Sequence, residues 1–123
     1  MTSPDDGFFS FREYQRSAYL FANPEVACGP LALPIWALGL GGEAGEVQKH
    51  IKKHLGHGHD LDVDAVASEL GDVLWYVSAL ASYLGLNLED IADNNLTKLI
   101  DRYGGGFSVE KSIYRDKPIE PAV

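Results

Sequence analysis

The segment LGGEAGEV occupies residues 40–47, and the segment SELGDVLW follows at residues 68–75. Each segment carries two acids spaced i, i+3, and such a pair lies on one face of an α-helix about one turn apart. The acids are Glu43, Glu46, Glu69 and Asp72. If two helices with these segments pack face to face, all four carboxylates gather in a small volume.

Carboxylates held this close repel one another, and their removal from water adds to the unfavourable free energy. A divalent cation relieves the repulsion, and sites made only of oxygen ligands favour Mg²⁺ or Mn²⁺. Neither segment contains the Glu-x-x-His pair that is typical of di-iron helix bundles. Because Mg²⁺ takes its remaining ligands from water and substrate phosphates, the pattern predicts a phosphate ester or anhydride as substrate.

Apolar residues recur at helical spacing through most of the chain, and no segment has a convincing strand pattern. The sequence therefore predicts an all-α fold with four main helices at about residues 11–21, 34–55, 63–84 and 88–103. Ser10 and Glu13 form a capping box at the first helix, with Phe9 and Tyr14 as its hydrophobic staple. Asp60 or Asp62 caps the third helix.

The inward faces of the helices are assigned from the same periodicity. On the third helix the predicted stripe is Val66, Leu70, Val73, Val77, Leu80 and Leu84, and on the first it is Phe11, Tyr14, Ala18 and Phe21. Both acid pairs lie beside an apolar stripe, where a cleft can form. The start of the second helix, residues 35–40, is apolar on nearly all sides, which predicts a second cover such as another subunit.

The composition limits the function classes further. The chain has 123 residues, a net charge of −8 and a pI near 4.8, which argues against a duplex nucleic-acid binder because such proteins carry a basic face. No run approaches a membrane span, and no signal peptide is evident. The single cysteine, Cys28, excludes an intrachain disulfide and favours a reduced, cytoplasmic setting.

The two acidic segments together resemble the MazG-like nucleotide pyrophosphohydrolases, whose pattern is Glu-x-x-Glu, a spacer and Glu-x-x-Asp. The spacer here is residues 47–68. Asn95-Leu-Thr-Lys98 with Arg102-Tyr103 is similar to the family's Asn-x-x-Lys helix, and Tyr14-Gln15 to a frequent beginning of its first helix. The resemblance covers about residues 11–107.

This resemblance implies a helical bundle at residues 10–107 that is completed by assembly into a homodimer or homotetramer. Residues 1–9 would be a flexible terminus and residues 108–123 a C-terminal tail. It also implies hydrolysis of a nucleoside triphosphate to a monophosphate and pyrophosphate. The four acids would hold Mg²⁺, and one of them would act as general base. Asn95 and Lys98 would contact phosphate or sugar, with Tyr76 and Arg102 as further substrate-binding candidates.

Several alternatives remain open from the sequence. Gly42 stands where many members carry a further acid, so the division of roles among the carboxylates is open. A helix end and loop carry the histidines His50, His54, His57 and His59, of which the first two have a spacing that zinc can use. The substrate could be another nucleotide such as phosphoribosyl-ATP, or the protein could be a non-catalytic helical oligomer that binds nucleotide or metal.

Overall fold

A computed structural model describes residues 9–114, and these residues contain helices and no strand. The helices are α1 (Phe11–Tyr19), α2 (Pro24–Ala27), α3 (Ala32–His57), α4 (Val63–Tyr83), α5 (Leu88–Tyr103) and α6 (Val109–Ile113). The predicted all-α class is confirmed, and the four long helices are α1, α3, α4 and α5. The predictions of a loose terminus and tail concern mainly residues 1–8 and 115–123, which lie outside the described residues.

The structure confirms Ser10 as the predicted N-cap of α1, which is one of the two hydrogen bonds of the predicted capping box. The Ser10 side-chain oxygen accepts a hydrogen bond from the backbone N–H of Glu13 at 3.1 Å. The rings of Phe9 and Tyr14 meet edge to face at 6.3 Å, which is the predicted staple. The helix ends at Tyr19, two residues earlier than predicted.

Helices α3 and α4 form an antiparallel pair joined by residues 58–62, and the contacts between them exceed those of any other helix pair. Gly58 and Gly85, both with a φ of 71°, follow the two helices in the left-handed conformation that favours glycine. Asp62 caps α4 by accepting from the N–H of Ala65 at 3.0 Å. The connection predicted before α3 contains the short helix α2, which Asn23 caps.

Contacts divide the chain into two units, with the boundary along the chain between Leu88 and Glu89. In the first unit, α1 and α3 pack on α4, and α2 packs on α3. Its core centres on the buried Trp36, around which lie small residues and aromatic rings. These neighbours are Ala22, Ala32, Ala79, Tyr19, Trp75 and Tyr76.

The apolar stripes were predicted only in part. On α4 the buried residues are Ser78, Ala79 and Ala81, whereas Leu70 and Leu84 are more than half exposed. On α1 the prediction was right for Ala18 and wrong for Phe21, which is exposed because the helix has already ended there. The single chain buries small residues at the helix contacts and leaves large apolar side chains uncovered. Leu38 lies in the first part of α3, which is apolar on nearly all sides, and it is 75% exposed.

The second unit comprises the rest of α5 and α6. Helix α5 has the predicted bounds and ends before Gly104, whose φ is 62°. The unpredicted helix α6 is capped by the Ser108 hydroxyl, and the Lys111 ammonium donates to the Tyr103 carbonyl at 2.7 Å. Among residues 9–114, no helix combines the length and the apolar character needed to cross a membrane.

Candidate metal centre

Three of the four predicted acids meet where α3 packs along α4. One carboxylate oxygen from each of Glu43, Glu69 and Asp72 lies within 4.8 Å of the other two. Glu43 comes from α3, and the other two acids lie one turn apart on α4. Glu43 and Glu69 are half-buried and Asp72 is exposed, so the group opens to solvent on one side. We refer to these three residues as the acid trio.

Electrostatics in the acid trio disfavours full ionisation of the free protein. The pKa of Glu43 is raised above its ordinary value, first by burial and then by a side-chain hydrogen bond with Glu69. The negative charges of Asp72, Glu69 and Glu46 raise it further. A hydrogen bond between two carboxyl groups requires a proton on one of them, and a bound cation would take the place of that proton. A donor set of carboxylate oxygens alone fits a hard divalent ion such as Mg²⁺ or Mn²⁺.

Glu46 lies at the edge of this arrangement. It is not among the three side chains whose oxygens converge, although its charge is felt at Glu43. Its carboxylate lies 3.8 Å from the Lys49 ammonium, one turn further along α3, and both side chains are about half exposed. Its predicted role as a metal ligand stays a prediction.

Two further side chains adjoin the acid trio and were not predicted as part of the site. His50 Nε2 lies 3.6 Å from a Glu69 carboxylate oxygen, and both side chains are about one-fifth exposed. His50 follows Glu43 by two helical turns, so the spacing on α3 could have indicated it. The pKa of Tyr14 is raised by burial and then by the charge of Asp72. No local pattern predicts this effect, because Tyr14 lies on α1 and Asp72 on α4.

The structure places Tyr76 in the packing between α3 and α4. Its ring contacts those of Trp36 and Trp75, with centroids 6.2 Å and 5.1 Å away. A side chain at Gly39 would overlap the Tyr76 ring, so the two helices approach closely at this point. The Trp75 indole donates to the Ala18 carbonyl at 3.0 Å. Substrate contact by Tyr76 stays a prediction.

The other predicted substrate-binding residues lie on α5, in the second unit. Asn95 and Lys98 are exposed on this helix. Arg102 is half-buried, with its guanidinium 5.8 Å from the centre of the Tyr103 ring. Their predicted contacts with phosphate or sugar stay predictions.

The four histidines are not brought together as a metal site. Within residues 9–114, the acid trio is the group of three or more metal-ligating side chains with suitable geometry. His54 Nδ1 lies 2.8 Å from the His59 carbonyl, which is a hydrogen bond when that nitrogen carries the proton. The rings of His57 and His59 meet edge to face at 6.4 Å. These contacts order the end of α3 and the following loop.

Comparison with known proteins identifies a family that matches most of the first unit and the start of the second. The model of the MazG nucleotide pyrophosphohydrolase domain matches residues 36–107, a range that includes the acid trio. The Gene 37 protein of Mycobacterium phage L5 is 41% identical over 76 residues, which span 56% of this chain and 64% of that relative. No solved structure matches the chain significantly.

Proposed function

The chain belongs to the MazG nucleotide pyrophosphohydrolase family, and from this premise we propose that it hydrolyses a nucleoside triphosphate to the monophosphate and pyrophosphate with Mg²⁺. The observation that carries the proposal is the convergence of three carboxylates from two helices within 4.8 Å. Acids at this spacing are unfavourable without a cation, and a cation at this position could also bind phosphate oxygens.

The four acids bind the metal ion and assist proton transfer in the proposed reaction. Glu43, Glu69 and Asp72 hold the ion, with Glu46 as the fourth acid. The bound ion would polarise the phosphoryl oxygens and lower the pKa of a water molecule. One carboxylate of the four accepts the proton of the water that attacks the α-phosphorus. The α3–α4 packing fixes the acids in place, since Gly39 permits the close approach of the helices.

We also propose that the protein acts as a homodimer or homotetramer. In the described residues the buried hydrophobic side chains are few and mostly alanines, whereas Leu31, Leu38 and Leu70 are each more than half exposed. Assembly with further copies would cover large apolar side chains that the single chain leaves in water. Light scattering after size-exclusion chromatography measures the assembly. The single cysteine remains the basis for proposing the cytoplasm as its location.

The test is a panel of ribo- and deoxynucleoside triphosphates, with phosphoribosyl-ATP included, incubated with Mg²⁺ or with EDTA. Products are separated by chromatography, and pyrophosphate is measured directly. We expect pyrophosphate from at least one substrate in Mg²⁺ and none in EDTA. If calorimetry shows Mg²⁺-dependent nucleotide binding but no product forms, the protein is a non-catalytic binder instead.

Amide variants test the assignment of the acids. Glu69→Gln and Asp72→Asn should lower turnover by more than about 100-fold, the upper end of what loss of an outer-shell partner of a metal site costs. Asp93→Asn, an exposed acid on α5, is the matched control and should retain activity. Circular dichroism should show unchanged helix content in all three variants. Undiminished turnover in both site variants would exclude the proposed metal centre.

A further inference from the structure

The imidazole of His50 contacts one member of the acid trio from the opposite helix. Its Nε2 lies 3.6 Å from a Glu69 carboxylate oxygen, and the two side chains are 23% and 21% exposed. His50 belongs to α3 and Glu69 to α4, so the contact joins the two helices that form the site. The reaction proposed for the four acids gives this imidazole no role.

His50 lies outside the set of converging ligand atoms. Within residues 9–114, the side chains whose ligand atoms lie within 4.8 Å of one another are Glu43, Glu69 and Asp72, and neither ring nitrogen of His50 joins them. The imidazole is therefore placed to act on the Glu69 carboxylate, not on the ion itself.

Glu69 meets α3 between two side chains with opposite effects on its carboxylate. Glu43 and His50 are seven residues apart, which is two helical turns on one face and about 10.5 Å along the axis. The Glu69 carboxylate approaches both, within 4.8 Å of a Glu43 oxygen and 3.6 Å from the imidazole nitrogen. Glu43 repels it when both acids are charged, whereas a proton on His50 Nε2 attracts it, and a neutral imidazole can carry that proton.

Burial makes this contact more effective than the Lys49–Glu46 pair on the same helix. The Lys49 ammonium lies 3.8 Å from the Glu46 carboxylate, and those side chains are 54% and 46% exposed. Water and salt screen an exposed pair, so such pairs restrict their side chains little. His50 and Glu69 are about half as exposed. Their separation exceeds the usual N–H···O limit by only about 0.4 Å, so the attraction between them is short-range and directional.

We propose that His50 is a positioning residue of the metal centre, which holds the Glu69 carboxylate in the orientation in which it converges with Glu43 and Asp72. The inference rests on the proposed function, in which these acids bind Mg²⁺. Without the imidazole, repulsion among the acids would turn Glu69 away from the other two. Side chains that orient metal ligands typically contribute about 10–100-fold to metal affinity or activity.

The test is a pair of variants of similar side-chain length at position 50. Glutamine places an amide N–H close to the position of the imidazole Nε2, whereas methionine has no N–H donor. The Mg²⁺ affinity of the full chain is measured by titration calorimetry without nucleotide. His50→Met should weaken Mg²⁺ binding about tenfold, the low end of the effect of such a residue, and His50→Gln should recover a large part of that loss.

His54→Met is the matched control. His54 lies one turn further along α3, is exposed, and has its Nδ1 2.8 Å from the His59 carbonyl. The substitution removes the same ring from the same helix and should change the Mg²⁺ affinity by less than about twofold, as for a change in surface electrostatics. Circular dichroism and thermal melting in EDTA verify that all three variants fold.

Bound Mn²⁺ shows whether the imidazole itself coordinates the ion. Pulsed electron paramagnetic resonance detects the nitrogen of a coordinated imidazole through its coupling to the metal. We expect no such coupling in the wild-type protein and an unchanged spectrum in His50→Gln. A nitrogen coupling that disappears in His50→Gln would overturn the positioning role, because His50 would then be a ligand.

The inference is also overturned if His50→Met binds Mg²⁺ as tightly as the wild-type protein, or if His50→Gln loses as much affinity as His50→Met. A wild-type protein that binds no Mg²⁺ excludes the metal centre and the role of His50 with it. Failure of the proposed function alone has a different signature, in which the variants bind Mg²⁺ in the expected order but the wild-type protein releases no pyrophosphate from any nucleotide. A wild-type enzyme that releases pyrophosphate while the two variants bind Mg²⁺ normally refutes only the role of His50.

Discussion

Glu43 on α3 and Glu69 on α4 each place a carboxylate oxygen within 4.8 Å of the other. This approach joins the two halves of the acidic pattern, which stand more than twenty residues apart in the chain. It also creates a conflict, because burial and the neighbouring carboxylates raise the pKa of Glu43 and so favour its protonated form. The pH dependence of stability follows from this conflict.

In the metal-free protein, Glu43→Gln should raise the melting temperature at neutral pH. The folded protein raises the Glu43 pKa, so the folded state binds the proton more tightly than the unfolded state does. Above the pKa of Glu43 in the folded protein, the charged carboxylate therefore lowers the stability of the fold. Below the ordinary value of 4.5, Glu43 is protonated in both the folded and the unfolded state. The higher melting temperature of Glu43→Gln should be present at pH 7 and should vanish as the pH falls below 4.5.

The measurement is thermal melting in EDTA across this pH range, with Asp93→Asn as control for the change in net charge. Glu46, Glu69 and Asp72 all act on Glu43, so the difference between variant and wild type is the informative quantity. An advantage of Glu43→Gln that persists unchanged to acidic pH would contradict the raised pKa of Glu43.

Added Mg²⁺ should reverse the order of the melting temperatures of the wild-type protein and Glu43→Gln. A ligand that binds only the folded state stabilises it by RT ln(1 + [L]/Kd), or about 2.7 kcal/mol at a hundredfold excess over Kd. The wild-type protein should therefore melt higher in Mg²⁺, and Asp72→Asn and Glu43→Gln should shift much less. Because Ca²⁺ and Mg²⁺ differ in preferred geometry, a Ca²⁺ series distinguishes a specific site from general charge screening. Equal shifts in wild type and variants would indicate binding elsewhere.

The local parts of this fold were predictable, and the contacts between helices were not. Helix α5 has its predicted bounds because Gly104, which follows it directly, ends the helix, and this signal lies in the local sequence. The i, i+3 spacing predicted that Glu69 and Asp72 share one face of α4 for the same local reason. Tyr14 was assigned to the staple alone, because its approach to Asp72 depends on how α1 crosses α4.

The buried faces were less predictable for a related reason. Large apolar residues such as Leu70 were expected inside, but the helices meet through Ala79 and Ser78 instead. Small residues allow close approach, and periodicity alone does not distinguish a face that packs within the chain from one that is left for a partner. Helix α2 was missed because it is four residues long, and its Asn23-Pro24 start is equally typical of a turn.

Two glycines of α3 should respond oppositely to alanine. At Gly39 the added methyl group would overlap the Tyr76 ring, so Gly39→Ala should destabilise the protein by about 1–3 kcal/mol through overpacking. At Gly41 no atom other than those of the local helix backbone lies within 4 Å of the added group. Gly41→Ala should therefore stabilise the helix by about 0.5–1 kcal/mol.

Urea unfolding measures the change in the free energy of unfolding for both variants. The double variant Gly39→Ala/Tyr76→Leu should be destabilised by less than the sum of its single variants, because the smaller side chain removes the overlap. Strict additivity would show that Gly39 matters for another reason than its contact with Tyr76. A destabilising Gly41→Ala would mean that a second chain packs against that side of α3.

Gln15 should prove the most important polar residue in holding α1 to the rest of the first unit. Its amide nitrogen donates to the Ser82 hydroxyl at 3.1 Å and to the Leu86 carbonyl at 2.9 Å, and its oxygen accepts the Leu88 N–H at 2.8 Å. Leu88 is buried, so loss of the acceptor leaves an N–H without a partner away from water. Gln15→Met keeps the side-chain length and should destabilise the protein by about 2–3 kcal/mol, since an unsatisfied buried donor alone costs about 1–3.

Gln15→Glu separates the two ends of this side chain. It keeps the acceptor for Leu88 and removes both donors, so it should cost less than Gln15→Met, as measured by urea unfolding at neutral pH. Gln48→Met, at an exposed position on α3, is the matched control and should change stability by less than about 0.5 kcal/mol, as is usual for surface substitutions. If Gln15→Met behaves like Gln48→Met, α1 is held by its apolar contacts alone, and the hydrogen bonds of Gln15 contribute nothing to its position.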